Sequence, residues 1–351
     1  MGTGSLRLGL LAGLFAAASS FAQEGETAGP FHIAEERTIT FPRLLTRPSV
    51  TEQAIWVGQG GRVPIWEKPL HAVCRVDPQT GQVTASIPLS YQPLALAVGG
   101  GAVWVQQDNA KGSLVRIDEK TLEPAPVPGV GWSDSFPVLA FGEGSVWIVE
   151  HDIARAGSVI LFGRSFAIVR IDARTGQVLA RIPVSGANGI AVGAGAVWVM
   201  KSGAGFDKSS TVWRIDPATN QIVATIPVPK SIDDIAFGEG FVWVVRNQIA
   251  VVGSDGDSEV NRVDPATNQV VGEPIRVPSG FCNLAVGNGT VWVLSANGSL
   301  VRIDPQTGRQ LGQPTPIFHP LKIAAGPTGV WITRWSRPMG TGGCLLTPLV
   351  P

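Results

Sequence analysis

Seven short apolar runs recur along the chain, each built around one tryptophan. They are Ala54–Val57 (AIWV), Ala102–Val105 (AVWV), Ser145–Ile148 (SVWI), Ala196–Val199 (AVWV), Phe241–Val244 (FVWV), Thr290–Val293 (TVWV) and Gly329–Ile332 (GVWI). The anchor tryptophans Trp56, Trp104, Trp147, Trp198, Trp243, Trp292 and Trp331 are separated by 48, 43, 51, 45, 49 and 39 residues. Short β-branched and aromatic runs bounded by Gly, Pro, Asn and Asp predict strands rather than helices. A period in the forties, with several such strands per period, predicts one propeller blade per repeat.

Each unit parses into four strands, A to D. In 189–228, Ile190–Val192 is A, Gly193-Ala194-Gly195 turns the chain, and Ala196–Val199 is B. A loop leads to C, Val212–Asp216, and Pro217–Asn220 turns into D, Gln221–Val228. The C–D turn recurs as VDPQTG from Val76, IDARTG from Ile171, IDPATN from Ile215, VDPATN from Val263 and IDPQTG from Ile303, with a degenerate copy, IDEKTL, from Ile117. Asp opens such a turn, Pro supplies a suitable φ at the next position, and Gly or Asn accepts positive φ at its end. An Arg stands two residues before each Asp (Arg75, Arg116, Arg170, Arg214, Arg262, Arg302). A feature repeated in six blades reads as architecture: each Arg pairs with its own Asp or stacks on a tryptophan.

The last repeat starts at Leu321 and has a third strand at about Cys344–Thr347, aligned with the Val-Arg-Ile-Asp units, but no fourth strand. Residues Arg37–Pro42 carry the fourth-strand pattern without a third strand before them. The fold class is therefore all-β: a seven-bladed β-propeller of four-stranded antiparallel blades, closed by an N-terminal strand that completes the last blade. Closure of this kind removes exposed sheet edges.

Composition refines the picture. The 351 residues include 43 Gly and 27 Pro, with 44% hydrophobic and 15% charged residues, which suits many short strands around a large core. The formal net charge is zero and no basic run occurs, which argues against nucleic-acid binding. Arg7, the apolar run Leu8–Ala18 and the small residues Ser20 and Ala22 form a secretory pattern. The expected organisation is a signal peptide over 1–22, a linker over 23–36 and the propeller over 37–351. A periplasmic or secreted monomer with no membrane span in its mature chain follows. The alternative, a membrane anchor, would need about 20 apolar residues. Cys74, Cys282 and Cys344 show no zinc-site spacing. Cys74 and Cys344 fall at equivalent strand positions of neighbouring blades, a separation too wide for a disulfide.

The RIDPxT(G/N)…IAVGxGAVWV repeat resembles bacterial propellers of the YVTN type and the wider superfamily that includes the streptogramin (virginiamycin B) lyases. The resemblance covers roughly residues 37–351 and implies the propeller fold. Family members serve as enzymes, sensors and scaffolds. The lyase-type tryptophan–aromatic–Thr–Glu motif has its nearest match in Val146–His151, and no catalytic set is carried over.

In an up-and-down blade the A–B and C–D turns share one face, and the B–C and D–A connections share the other. All length variation falls on the second face, where binding residues are expected. Its loops hold Trp66, Trp132 and Trp335, with Phe136, Phe281, Phe318, Tyr91, His71, His151 and His319. The positions nine residues before each anchor tryptophan are Arg47, Ala95, Val138, Gly189, Asp234, Asn283 and Lys322. Those three residues after it are Gln59, Gln107, Glu150, Lys201, Arg246, Ser295 and Arg334. Both sets are expected to ring the mouth of the central funnel, where polar members suit an anionic or mixed polar ligand. Candidate ligand contacts are Arg47, Asp234, Asn283, Lys322, Lys201, Arg246, Arg334, Trp66, Trp132 and Trp335. Glu150, His151 and His319 are the candidate acid–base groups. A divalent metal ion is the one cofactor the pattern admits, with Asp255, Asp257 and Glu259 as alternating carboxylates.

The leading reading is a ligand-binding or protein-interaction scaffold using the B–C/D–A face for a small molecule, glycan, peptide or envelope protein. The rival is a lyase or hydrolase acting on a peptide or sugar in the funnel. A third reading docks an envelope partner on the long 149–167 insertion through Val159–Phe162.

Overall fold

The computed structural model describes residues 31–350 except 61–69, 110–113, 132–137, 152–153, 157–158, 162–164, 203–209, 230–231, 247–257, 279 and 337–342; for 154–156, 159–161 and 165–166 it describes the backbone alone. Seven antiparallel sheets form the blades. Blade 1 holds Leu44–Leu45 with Ser49–Val50, Ile55–Gly60, Ala72–Val76 and Val83–Pro88. Blade 2 holds Pro93–Gly99, Ala102–Gln107, Leu114–Asp118 and Pro124–Pro126. Blade 3 holds Leu139–Gly142, Ser145–His151, Ser165–Asp172 and Val178–Pro183. Blade 4 holds Ala187–Gly193, Ala196–Lys201, Ser210–Asp216 and Gln221–Val228. Blade 5 holds Asp234–Gly238, Phe241–Arg246, Ser258–Asp264 and Gln269–Val277. Blade 6 holds Cys282–Gly287, Thr290–Ser295, Ser299–Ile303 and Thr315–Pro316.

Blade 7 joins the two ends of the chain. Pro320–Gly326, Gly329–Trp335 and Cys344–Val350 are its first three strands. Ile39–Phe41 pairs with the last of these, Phe41 opposite Cys344. His32–Ile33, placed in the linker by the sequence pattern, pairs with the same strand further along, His32 opposite Val350. Between them Glu35 accepts two hydrogen bonds from Arg334, both 2.7 Å. The expected register of the third strand is off by three residues, because Pro348, not Leu345, stands opposite Trp331. Blade 7 therefore has no arginine at the repeated position. Arg37 from the closing segment takes over, its guanidinium 5.8 Å from the Trp331 ring. The same shift separates the cysteines: Cys344 faces Trp335 and Cys74 faces Val57, and all three thiols are free and buried.

Two devices pack the ring. The first pairs the anchor tryptophan with a glycine five residues before it. Trp104, Trp147, Trp198, Trp243 and Trp292 donate their indole N–H to the carbonyls of Gly99, Gly142, Gly193, Gly238 and Gly287 at 3.0–3.4 Å. Glycine is required there because the next blade lies against its Cα. A Cβ at Gly193 would sit 1.9 Å from Phe237, and one at Gly142 would sit 2.3 Å from Val192. All seven tryptophans are fully buried. Each removes roughly 200 Å² from water, about 5 kcal/mol before ordering costs.

The second device is the repeated arginine. Arg75, Arg116, Arg170 and Arg214 lie over their own blades' tryptophans at 5.2–6.0 Å. The guanidinium ends of Arg170, Arg214 and Arg262 reach forward. Arg170 bonds the Pro217 carbonyl and Asn220 of the next C–D turn. Arg214 bonds Pro265 and Asn268 at 2.9 and 3.0 Å, and Arg262 bonds Pro305 and Gln306 at 3.0 Å. Arg37 makes the same reach from blade 7, bonding the Pro78 carbonyl of blade 1. Among the described residues the expected pairing with the blade's own Asp occurs only at Arg116–Asp118, 3.5 Å. The other aspartates cap their own turns instead. Asp77 Oδ1, for example, accepts from the N–H groups of Gln79 and Thr80 at 2.8 Å. The turn ends in positive φ at Gly81, Gly176, Asn220, Asn268 and Gly308, and the degenerate copy forces the same conformation on Leu122 (φ 62°).

Candidate functional site

The first strands of the blades line the centre of the ring, so the residues where they begin mark one mouth of the channel. Asp234, Asn283 and Lys322 stand opposite Val245, Leu294 and Thr333, each two residues past its blade's tryptophan. These equivalent positions fall on the B–C/D–A face. In blade 1 the first strand is broken. Thr46 holds the equivalent register by donating to the Gly58 carbonyl at 2.9 Å, and Arg47 follows in the break.

The four side chains form one network. Arg47 makes an ion pair with Asp234 through Nη2–Oδ2 and donates to Asn283 Oδ1 at 3.3 Å. Lys322 Nζ donates to the same Asn283 oxygen at 2.9 Å, and Asn283 Nδ2 donates to the Leu321 carbonyl at 3.2 Å. Asp234 also accepts from the backbone N–H groups of Ile235 (3.0 Å) and Leu284 (2.9 Å). Blades 1 and 5 are not neighbours: 6 and 7 separate them on one side, and 2, 3 and 4 on the other. Direct contact between Arg47 and Asp234 therefore crosses the channel, and the network forms a floor beneath its mouth.

Lys322 is exposed to water yet enclosed by protein, as a residue on a channel wall is. Desolvation pushes its pKa down, repulsion from Arg47 adds to this, and Asp234 opposes both. The rest of the ring differs. Ala95, Val138 and Gly189 occupy the matching positions in blades 2, 3 and 4 and carry no polar side chain. One arc of the mouth is polar and the other small and apolar.

The positions three residues past the tryptophans do not share this setting. They lie on the second strand, and Gln59, Gln107, Glu150, Arg246, Ser295 and Arg334 are buried. Glu150, 4% exposed, bonds Arg181 at 3.0 Å and the Gly131 N–H at 2.5 Å. Arg181 also bonds the Gly129 carbonyl, so the pair clamps the connection between blades 2 and 3. Arg246 pairs with Glu259 across adjacent strands at 2.7 Å, and Arg334 holds Glu35. Lys201 alone is open, 5.8 Å from the Trp213 ring. The expectation that both sets ring the funnel is thus corrected: one step outward in the sheet changes the surroundings from channel to interior.

The catalytic candidates stay apart. Glu150 and buried His151 end the second strand of blade 3, while His319 is exposed at the start of blade 7. Strand pairing extends to His151 and resumes at Ser165, so the long insertion is shorter than 149–167 and contains a hairpin, Ala154–Ala156 with Val159–Leu161. Trp66, Trp132, Phe136, Phe162, Asp255 and Asp257 lie outside the described residues. Glu259 is the described member of its acidic cluster. Among the described residues no group of three or more His, Cys, Asp or Glu side chains is placed to hold a metal. Trp335 is half-buried opposite Cys344 and packs on the core between blades 7 and 1.

Two residues were missed by the sequence reasoning. Gln106 and Thr333, two past their tryptophans, are fully buried, and neither Gln106 amide atom nor the Thr333 hydroxyl has a hydrogen-bond partner among the described residues. The equivalent residues Val149, Met200, Val245 and Leu294 are apolar. That break in the pattern was the signal.

No family model matches the chain, and no curated protein does. Among solved structures, hydrazine synthase of Kuenenia stuttgartiensis is similar, with a TM-score of 0.65 over 88% of this chain and 95% of that one, at 13% identity. At that identity the likeness shows the propeller fold alone.

Proposed function

We propose that this chain is an exported binding propeller whose B–C/D–A face holds a ligand or partner over the channel mouth. The observation that carries this reading is the Arg47–Asp234–Asn283–Lys322 network, drawn from four blades to one point. Charged groups brought together from distant parts of the chain on a rigid scaffold suit recognition. The repeat's resemblance to YVTN-type and streptogramin-lyase-like propellers accords with such a role. Export rests on Arg7 and the run Leu8–Ala18. No helix among the described residues is long and apolar enough to cross a membrane.

The test is a thermal-shift screen of the mature protein against glycans, peptides, small acids and divalent ions. A ligand that raises the melting temperature of the wild type but not of Lys322→Met supports the reading. Turnover of a peptide or sugar that is lost in Glu150→Ala or His151→Ala would replace it with the enzymatic one. N-terminal sequencing of exported protein is expected to start at Gln23, and a start at Met1 would remove the signal peptide.

A further inference from the structure

We propose that the channel floor is a monoanion site, taking the carboxylate of a ligand whose apolar body rests on the rim of blades 6 and 7 against Phe281 and Phe318. The inference rests on reading this face as a binding face and names what it binds.

Unused hydrogen-bond capacity comes first. An arginine carries five N–H donors and a lysine three. Arg47 spends three contacts on Asp234 and Asn283, and Lys322 spends one on Asn283. The remaining donors have no protein partner among the described residues and open to the channel. Asp234 is already saturated: it accepts from Arg47 and from two backbone N–H groups. Its role is to orient Arg47, leaving a positive site with spare donors. Asn283 Oδ1 accepts from both cations and sets the spacing between them.

Charge selects the ligand. Arg47 and Lys322 contribute two positive charges and Asp234 one negative, so the floor is left with a single uncompensated positive charge. Arg47 and Asp234 are the charges that act on Lys322. Asp233, the residue before, acts with Asp234 on the Cys282 thiol and is not among the charges that act on Lys322. One carboxylate neutralises the floor, whereas a phosphate dianion would overshoot it. Neutralisation matters more here than on open surface, because a wall of low polarisability strengthens the interaction.

The apolar body is placed by the rim. Phe318 (72% exposed) and Phe281 (62%) are the most exposed large hydrophobic residues described. Phe281 lies two residues before Asn283 and Phe318 four before Lys322, on the connections that lead into those strands. Two exposed aromatics beside a cationic floor suit a ligand with one charged end and one apolar end.

The test uses isothermal titration calorimetry at fixed ionic strength with phenylacetate, N-acetylphenylalanine, phenylacetamide, acetate and inorganic phosphate. The two aromatic acids separate a free small acid from a peptide C-terminus, and either one binding supports the site. Phenylacetamide is expected to bind about tenfold or more weakly than phenylacetate, the usual effect of losing a charge-assisted bond. Lys322→Met is expected to weaken the acids by a similar factor without lowering the melting temperature, and Lys322→Arg to restore them. Phe281→Ser with Phe318→Ser is expected to reduce phenylacetate to the level of acetate. Equal binding of acid and amide, tighter binding of phosphate than of any carboxylate, or no effect of Lys322→Met would overturn the proposal. If no acid binds while an uncharged glycan or peptide still stabilises the chain, the anion site falls and the binding face stands. If nothing binds, both fall.

Discussion

The two ends of the blades follow different rules. On the turn face one arrangement recurs: an Asp caps the turn, and in blades 1, 4, 5 and 6 an Arg from the preceding blade grips it. On the loop face the equivalent positions differ from blade to blade; Asn283 and Lys322 meet across neighbouring blades, whereas Arg47 reaches Asp234 only through the ring's closure. A repeated contact stabilises every blade and belongs to the scaffold, whereas a contact made once, between residues 187 apart in the chain, marks the place where the molecule departs from its repeat.

This contrast can be broken in stages, beginning with the closure. Deleting 31–41 removes the fourth strand of blade 7, the Arg37 grip on blade 1 and the Glu35–Arg334 pair. The expected loss is several kcal/mol, a large fraction of the ~5–15 kcal/mol that holds a typical domain folded, read as loss of a cooperative denaturant transition. An unchanged midpoint would show that blade 7 stands without it.

Next is Gly193→Ala, which drives a Cβ into Phe237 and is expected to cost about 1–3 kcal/mol. Gly195→Ala meets no atom within 4 Å, and only its positive φ resists, at about 1 kcal/mol. Urea melts that rank the two the other way would undo the packing argument. Arg214→Ala loses Pro265, Asn268 and its stacking on Trp198, worth about 1–2 kcal/mol together. It is expected to leave ligand binding on the other face unchanged.

The turn aspartates predict an acid response. Hydrogen bonds from turn N–H groups hold Asp77, Asp118, Asp172, Asp216 and Asp304 below the ordinary carboxylate value. A folded-state pKa below the unfolded one stabilises at neutral pH. That contribution is lost as pH falls from about 4 towards and through the folded values. Melting temperature is expected to decline across that window, less steeply in Asp216→Asn. The smallest expected effect on stability is that of Lys322→Met, within about 0.5 kcal/mol for an exposed side chain. A larger loss would make the channel network a structural strap.

Much of the fold was legible in the sequence. Trp198 and its six counterparts gave the number of blades, the Asp-Pro turns gave the strand ends, and Arg37–Pro42 gave the closure. The part that was missed, His32–Ile33, is too short to show a period. Blade 7's register also escaped, because Cys344–Val350 lacks the Arg and Asp that mark the other third strands. At the site, counting back from the tryptophans found Arg47, Asp234, Asn283 and Lys322. Counting forward failed, because Glu150 and Arg246 have the same polarity as the mouth residues and sequence does not distinguish a charge facing water from one paired inside.

The propeller is written in the repeat, because each unit carries the same local signals and needs a neighbour to bury its apolar faces. Ring closure places Arg47 across the channel on Asp234, and blade packing makes Glu150 a clamp on Arg181 rather than a group in the mouth. Partnership between residues far apart in the chain depends on how blades close into a ring, and no spacing along the sequence encodes a distance across its centre.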